Sequence, residues 1–531
     1  MPEAGHTPHP VNGDHASAEA PSVEVYAVYG VEPEIQAYAM AKYSRSALSM
    51  KESLKEISHQ KAEKFLNTFY FQYGHRSIAD LAHVALAIER LSILAAIAVA
   101  DEQRWDGQER STRYQDFKKS GYYRPDFGDE QAGEGRAGEL YREAMDFLFF
   151  EYESLSEEMF RYLVGNTPKP AEMKQETYDR TLRARAFDIA RYLLPLSTNT
   201  SLGEIVNART LETQVSRLLA HTHREVRDLG ELLKRAATSP AYNANRENLQ
   251  RLVEQIRAVS PELGTRAEQE LLGEARMAPT LVKYADPNAY EMETRRELRL
   301  AAAELMRNAP IARAPVVDLL DSDPLEVELA TTLLYEHCHY SYRQIREAVD
   351  AAGDKFCRKI IDLGVRHRGK HDEMLRAYCA GQQFRFDILM DVGGFRDMHR
   401  HRRCIQIGQG FTTRHGYDTP AEVEAAGVRG KYYAVMQRAA EAVEQLAKQP
   451  GTEAEENSQY AIPLAFRKRT LFKMDFAEVA YISELRTTPA GHASYRNVAF
   501  ALYEAVARKH PALARHVRVT DVREPVDLLK R

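Results

Sequence analysis

Long stretches of helical apolar spacing, separated by short polar or glycine-bearing breaks, make up most of this 531-residue chain. Apolar residues recur at three- and four-residue intervals among good helix formers over 35–71, 137–163, 178–195, 207–236 and 241–258. The same spacing returns over 289–308, 325–351, 369–392, 422–447 and 498–508, and each stretch predicts an amphipathic helix. A denser apolar run over 84–100, ending "LSILAAIAVA", predicts a buried helix that stops at charged residues, well short of a membrane span. Two pieces predict strands instead: "VEVYAVYG" at 23–30 and "TLVKYAD" at 280–286. Phe384, Phe386 and Ile388 also alternate, at the start of an otherwise helix-like stretch. The first 21 residues, "MPEAGHTPHPVNGDHASAEAP", have no apolar centre and predict a disordered tail rather than a signal peptide. The pattern as a whole predicts a mostly helical α+β protein.

The pattern also repeats. "LLPLSTNTSLGEIVNARTLETQVSRLLAHTHREVR" (193–227) matches "AIPLAFRKRTLFKMDFAEVAYISELRTTPAGHASYR" (461–496). Pro195-Leu196 and Pro463-Leu464 are offset by 268 residues, and Arg217/Arg486 and Arg227/Arg496 by 269. A near-constant offset over that length predicts a tandem duplication of domain-sized units. One unit is expected over 22–265 and the other over 275–531. They join near 258–279, where "SPELG" breaks a helix.

Composition narrows the chemistry. A hydrophobic content of 44% supports two cores of ordinary size. A net charge of −5 argues against a protein that coats nucleic acid or an anionic membrane, so any basic cluster serves a local anion. Cys338, Cys357, Cys379 and Cys404 form no C-x-x-C pair and read as reduced thiols of a cytoplasmic protein.

Against this acidic background stands "HRHRR" (399–403). Arginine presents a planar fork to phosphate, and histidine donates to a phosphate or carbonyl. The same run also fits a basic helix end held by the macrodipole. A metal site from His399, His401 and His415 lacks supporting carboxylate or cysteine spacing, and no metal is expected. In "QERSTRYQDF" (108–117), the Ser111 hydroxyl, nearby backbone N–H groups and Arg113 suit a phosphate cradle, or simply a polar loop. In "YGHRSIADLAH" (73–83), Ser77 and Asp80 have capping-box spacing.

Combined, these pieces resemble the flavin-dependent thymidylate synthases, with motifs G-H-x-S-x-x-E-H and R-H-R-x-x-S-x-N-E-x-S-x-R-Y. The first copy carries Gly74, His75, Ser77 and Asp80, then Glu109, Ser111, Arg113 and Tyr114, with "DEQR" (101–104) where R-H-R belongs. Its tail keeps Asn207, Arg209 and Arg217. The second copy keeps Arg400, His401 and Arg402, follows them with "RCIQIGQGFTT", and has Arg486 and Arg496 with Asp475 in place of the Asn. Asp397 stands where the family has a Gln.

The resemblance implies two tandem synthase-like domains, each with long helices packed on a small, mostly antiparallel sheet. It implies an enzyme that methylates dUMP to dTMP with FAD, methylenetetrahydrofolate and NADPH, in a homodimer equivalent to a tetramer of copies. Under it, Arg400, His401, Arg402, Ser77, Asp80 and Asn207 bind the flavin. Glu109, Ser111, Arg113 and Tyr114 bind the nucleotide, and Arg217 or Arg486 approaches the pyrimidine. Because the losses in the two copies are complementary, one composite site is expected, with R-H-R from one copy facing S-x-R-Y from the other. The alternatives are a degenerate flavin or nucleotide binder, an enzyme for another pyrimidine, and a structural or nucleic-acid-interacting protein.

Overall fold

A computed structural model describes residues 26, 28, 30–42, 49–56, 76–127, 135–320, 324–368, 375–378, 384–451, 453–515 and 517–529. In the first half, α1 (Pro33–Ala41) and α2 (Met50–Glu56) precede β1 (His83–Ser92), which turns directly into α3 (Ile93–Ala100). Then come β2 (Asp106–Glu109), α4 (Arg136–Asn166), α5 (Gln175–Ala190), β3 (Asn199–Asn207), α6 (Ala208–Leu219) and α7 (Arg224–Thr238). A helical hairpin, α8 (Arg246–Val259) and α9 (Pro261–Leu271), leads into the second half.

That half starts with α10 (Ala289–Leu305), β4 (Val317–Leu319), α11 (Leu325–Tyr335) and α12 (Tyr342–Val365). Next, β5 (Phe384–Asp391) turns into α13 (Val392–Met398), followed by β6 (Ile405–Gly408), α14 (Ala421–Ala425), α15 (Arg429–Ala447) and α16 (Ala454–Ser458). The chain finishes with β7 (Arg467–Met474), α17 (Phe476–Arg486), α18 (Ala493–Lys509) and α19 (Pro511–Ala514). The strands form two small antiparallel sheets, ordered β1-β3-β2 and β4-β5-β7-β6.

The duplication is visible atom by atom. Ser92 caps α3 through the Ala95 N–H, and Asp391 caps α13 through the Gly394 N–H. Asn207 and Asp475 cap α6 and α17 in the same way, each accepting a 2.8 Å bond from the third residue of its helix. Even a half-buried side-chain pair recurs with its partners exchanged. The Ser92 hydroxyl donates to Glu225 at 2.6 Å, while the Ser494 hydroxyl donates to Asp391. A side chain at Gly394 would strike that same Ser494 oxygen at 2.6 Å, so the α13 start requires glycine.

The two halves meet back to back at the repeated Pro-Leu turns, where Pro195 and Pro463 bridge. The Leu196 N–H donates to Ile462 O and the Leu464 N–H to Leu194 O, each at 2.9 Å. Ser197 N–H to Tyr460 O and Ala465 N–H to Tyr192 O complete two matching pairs. Such reciprocal bonding is the mark of an approximate two-fold axis. Leu194, Leu196, Ile462 and Leu464 are all buried there, in a core continuous across both halves.

Several sequence expectations are corrected. The 84–100 run is a strand and then a helix, divided at Ser92. Residues 280–286 form turns, with the Thr280 and Leu281 N–H groups donating to the Glu34 carboxylate at 2.8 and 2.6 Å. Within 369–392 the described residues give a short 3-10 turn at Arg376–Tyr378, the strand β5 and only the start of α13. The stretches 207–236, 325–351 and 422–447 each hold two helices, and 35–71 breaks after Ala41. "SPELG" does end a helix, but Ser260 also caps the next one through the Leu263 N–H. The tail 1–21, most of 23–30, residues 57–75 and Cys379 lie outside the described residues.

The cap geometry gives Asn207 a structural job whatever else it does. Asn207→Ala and Asp475→Ala are each expected to lower stability by about 1 kcal/mol, read as the shift in the urea midpoint at unchanged slope.

Candidate functional site

Two sites lie across the two-fold axis, each built from both halves: the first a cluster of paired side chains, the second an open cavity. In the first, α13 carries Arg396 and Asp397, and the turn from α13 into β6 carries His401 and Arg402, against the loop that follows β2. Arg396 pairs with Glu109 and donates to the Thr112 hydroxyl at 3.3 Å. Arg402 pairs with Asp106 at 3.3 Å and lies 5.2 Å over the Trp105 ring. Arg113 grips Asp188 through Nε and Nη2 at 3.0 and 3.2 Å, then crosses to the other half, donating to the Tyr495 hydroxyl at 2.9 Å. Its own turn is fixed by the Arg113 N–H donating to the Ser111 hydroxyl at 3.2 Å.

Arg486 donates to His401 Nε2 at 2.8 Å, while His401 Nδ1 lies 3.4 Å from Glu478. Burial holds the imidazole pKa below its usual value, so His401 is neutral, accepts from Arg486 and keeps its proton toward Glu478. Histidine therefore adds no charge to this pocket; the arginines supply it. Arg400 is exposed at the rim.

Sequence reasoning missed Arg191. It is 2% exposed, lies 3.3 Å from Asp188 and 3.8 Å from Asp397, and its Nη2 has no hydrogen-bond partner. Arg396 Nε is likewise buried and unpartnered. Burial favours the neutral form of Asp188, but His492, Arg191 and Arg113 outweigh it and hold its pKa at about 2. The available signal was asymmetry: Arg191 directly precedes the repeated turn, and the residue at its offset in the second copy is Gln459.

Glu109, Ser111, Arg113, His401, Arg402 and Arg486 are thus brought together, and Tyr114, half exposed, flanks Arg113 at 5.2 Å. Arg217 is not with them. It lines the second pocket, donating to Ala98 O at 3.0 Å. Asp80 pairs with Arg209 at 3.2 Å near the Asn207 cap, at the end of the first sheet where Asp106 pairs with Ile205. The Ser77 side chain, Gly74 and His75 lie outside the described residues. Arg227 and Arg496 serve structure, bonding Glu453 and Thr487 O.

The second pocket is a cavity of about 1590 Å³ lined by His221, His223, His337, His339 and His399 among others. Burial lowers the pKa of His223, His337 and His339 to about 4 each. Unfolded histidine titrates near about 6.5, so below that pH the unfolded chain takes up protons that the folded one refuses. Stability is therefore expected to be full above about pH 6.5 and to fall progressively toward pH 4. Thermal melts across this range are expected to show a steadily falling Tm, and a flat profile would contradict the burial of these rings. Among the described residues, no set of three His, Cys, Asp or Glu side chains is arranged around a metal position. No described helix is long and apolar enough to cross a membrane.

Known proteins resemble this sequence over much or part of its length. A UPF0159 protein of Chlamydia pneumoniae is 28% identical over 525 residues, covering 92% of this chain and 90% of that protein. A flavin-dependent thymidylate synthase of Clostridium tetani is 24% identical over 183 residues, 34% of this chain and 68% of that enzyme. The solved Thymidylate Synthase X of Helicobacter pylori, with FAD and dUMP, shares 17% identity over 38% of this chain and 87% of its own, at a TM-score of 0.25. The family description of the thymidylate synthase complementing proteins, Thy1, fits residues 28–241 and again 317–512. The chain therefore belongs to the Thy1 family and carries its domain twice in tandem.

Proposed function

We propose that this protein is a flavin-dependent methyltransferase acting on a pyrimidine nucleotide, converting dUMP to dTMP with methylenetetrahydrofolate as carbon donor and NADPH as reductant. The observation that carries the reading is the meeting of Arg113 and Arg191 from one copy with Arg396 from the other. Arg191 and Arg396 both reach the Thr112 hydroxyl, and each has a buried donor left without a partner. Leaving buried charged donors unsatisfied is costly unless an anion completes them. A nucleotide 5′-phosphate meets that need, with Ser111, Arg113, Glu109 and Tyr114 around it.

Arg402 and Arg400 suit a flavin diphosphate at the rim. Arg402 is stacked on Trp105, and its ion partner Asp106 is itself highly exposed and easily displaced. The bound flavin supplies the electron and carbon relay of the reaction. Arg486, oriented by neutral His401, is directed to stabilise charge on a pyrimidine carbonyl. Ser77, Asp80 and Asn207 complete the flavin site from a second chain in a dimer, which gives the exposed end of the first sheet a partner. The copy boundaries fall within the α8–α9 hairpin and the turns after it.

A second reading, a nucleotide binder without methyl transfer, is favoured by Asp188 and Glu109. These carboxylates already pair with Arg113 and Arg396, so an incoming phosphate competes with them. Growth rescue of a thymidine-requiring strain separates the two. Rescue by the natural chain and not by Arg400→Ala supports the enzyme; failure of both, together with no NADPH oxidation on adding dUMP, leaves the binder.

A further inference from the structure

The large cavity belongs to the second pocket, the one that lost R-H-R. Asp101, Glu102 and Gln103 line it at those positions. Arg376 neutralises Asp101 at 2.6 Å, and Glu102 lies 3.9 Å from Arg217, the counterpart of Arg486. The wall that held positive charge in the first pocket is therefore acidic and self-paired here.

The facing loop, after β6, has not decayed. The Arg414 N–H donates to the Thr412 hydroxyl at 3.2 Å, the same turn that Arg113 and Ser111 make at 3.2 Å in the other copy. In sequence this is Thr412-Thr413-Arg414 against Ser111-Thr112-Arg113, displaced by two residues from the strand register, which hid it from motif alignment. Deeper in the cavity, Gln409 is 1% exposed; its side-chain N–H donates to Tyr340 O at 2.8 Å, but its Oε1 has no partner. His399 Nε2 and His339 Nδ1 are also buried and make no hydrogen bond, the former lying 3.9 Å from Asp101. Lys468 donates to Gln409 O, its ammonium 4.6 Å from the Phe411 ring centre and 5.4 Å from that of Phe395.

We propose that this cavity is a second ligand site, which takes a nucleoside monophosphate without flavin. The hydroxyl-x-arginine turn at 412–414 receives the phosphate. Gln409, His339 and His399 supply the unpaired polar edge that a heterocyclic base requires, between apolar rings. With R-H-R gone and its place taken by carboxylates already paired to Arg376 and Arg217, that wall offers no free guanidinium fork to a flavin diphosphate, so the duplication has turned one of two equivalent pockets into a binding pocket. The inference rests on the reading above only in that the Ser111–Arg113 turn takes a phosphate.

Equilibrium dialysis of the full chain against labelled dUMP and dTMP tests it. Two molecules per chain are expected at saturation for at least one of the two. Arg414 is exposed, so Arg414→Glu leaves folding intact; it should remove one class of sites, weakened at least tenfold, and leave the class that Arg113→Ala removes. Saturation at one per chain with only the Arg113-sensitive class overturns this inference and leaves the proposed function standing. A single Arg414-sensitive class does the reverse, and no binding at all overturns both. Unchanged two-site binding in Arg414→Glu also overturns it.

Discussion

Arg402→Ala is expected to purify colourless, without bound flavin, and the natural protein yellow. The side chain is the half-buried member of the R-H-R group: its guanidinium stacks on Trp105, and its ion partner is the exposed Asp106. It costs little to turn from that partner toward a diphosphate. Each charge-assisted phosphate bond contributes about 1.5–3 kcal/mol, and a bidentate arginine makes two. Loss of both lowers flavin affinity by more than about a hundredfold, enough for a cofactor to be washed away on a column. Arg402→Lys keeps the charge but not the fork and should retain only part of the flavin. Full flavin content in Arg402→Ala would remove this residue from the cofactor site. Melting temperatures of the variant and of the natural chain stripped of flavin should agree closely, because the Asp106 pair is exposed and contributes little.

Arg113→Ala is expected to have the larger effect on nucleotide and almost none on flavin. Arg113 bridges the halves through Tyr495 and Ala490 O, besides gripping Asp188. Removing it deletes the proposed phosphate contact and leaves one face of a buried carboxylate open. Nucleotide affinity should fall by about ten- to a hundredfold per lost charged bond. Stability should fall too, by less than about 3 kcal/mol rather than the full cost of a broken buried pair, because Arg191 remains 3.3 Å from Asp188. Flavin absorbance alongside dUMP titration reads both effects, and a variant that loses both ligands equally points to collapse of the interface instead. Arg113→Lys should recover stability more than affinity, since one ammonium cannot serve Asp188 and a phosphate together.

The site was legible in the sequence wherever chemistry was written in short motifs. Arg400, His401, Arg402, Ser111 and Arg113 stand out against an acidic chain. Arg191 and Arg396 did not stand out, because a lone arginine inside a helical stretch looks like surface charge. Only burial against Thr112 and Asp188 reveals otherwise. The strands were hidden for a related reason. In β7, "RKRTLFKM", nearly every position is buried, charged ones included. Arg469 and Lys473 lie inside because Asp387 and Glu328 wait there at 2.9 Å each. No alternation of polar and apolar residues marks a strand whose charges are neutralised by Asp387 on β5 and by Glu328 on α11.

By itself, then, the sequence determined that the chain is a duplicated α+β protein with helix-forming segments, a local cluster of basic residues and complementary losses in its two copies. Those are properties of residue type and spacing, which the chain carries whatever its conformation. Only the tertiary structure decided that the copies meet at their Pro-Leu turns. Only it sent Arg486 to one pocket and Arg217 to another, and left the larger space on the side without R-H-R. These outcomes depend on which buried charge finds a partner across the two-fold axis, and a partner hundreds of residues away leaves no local trace.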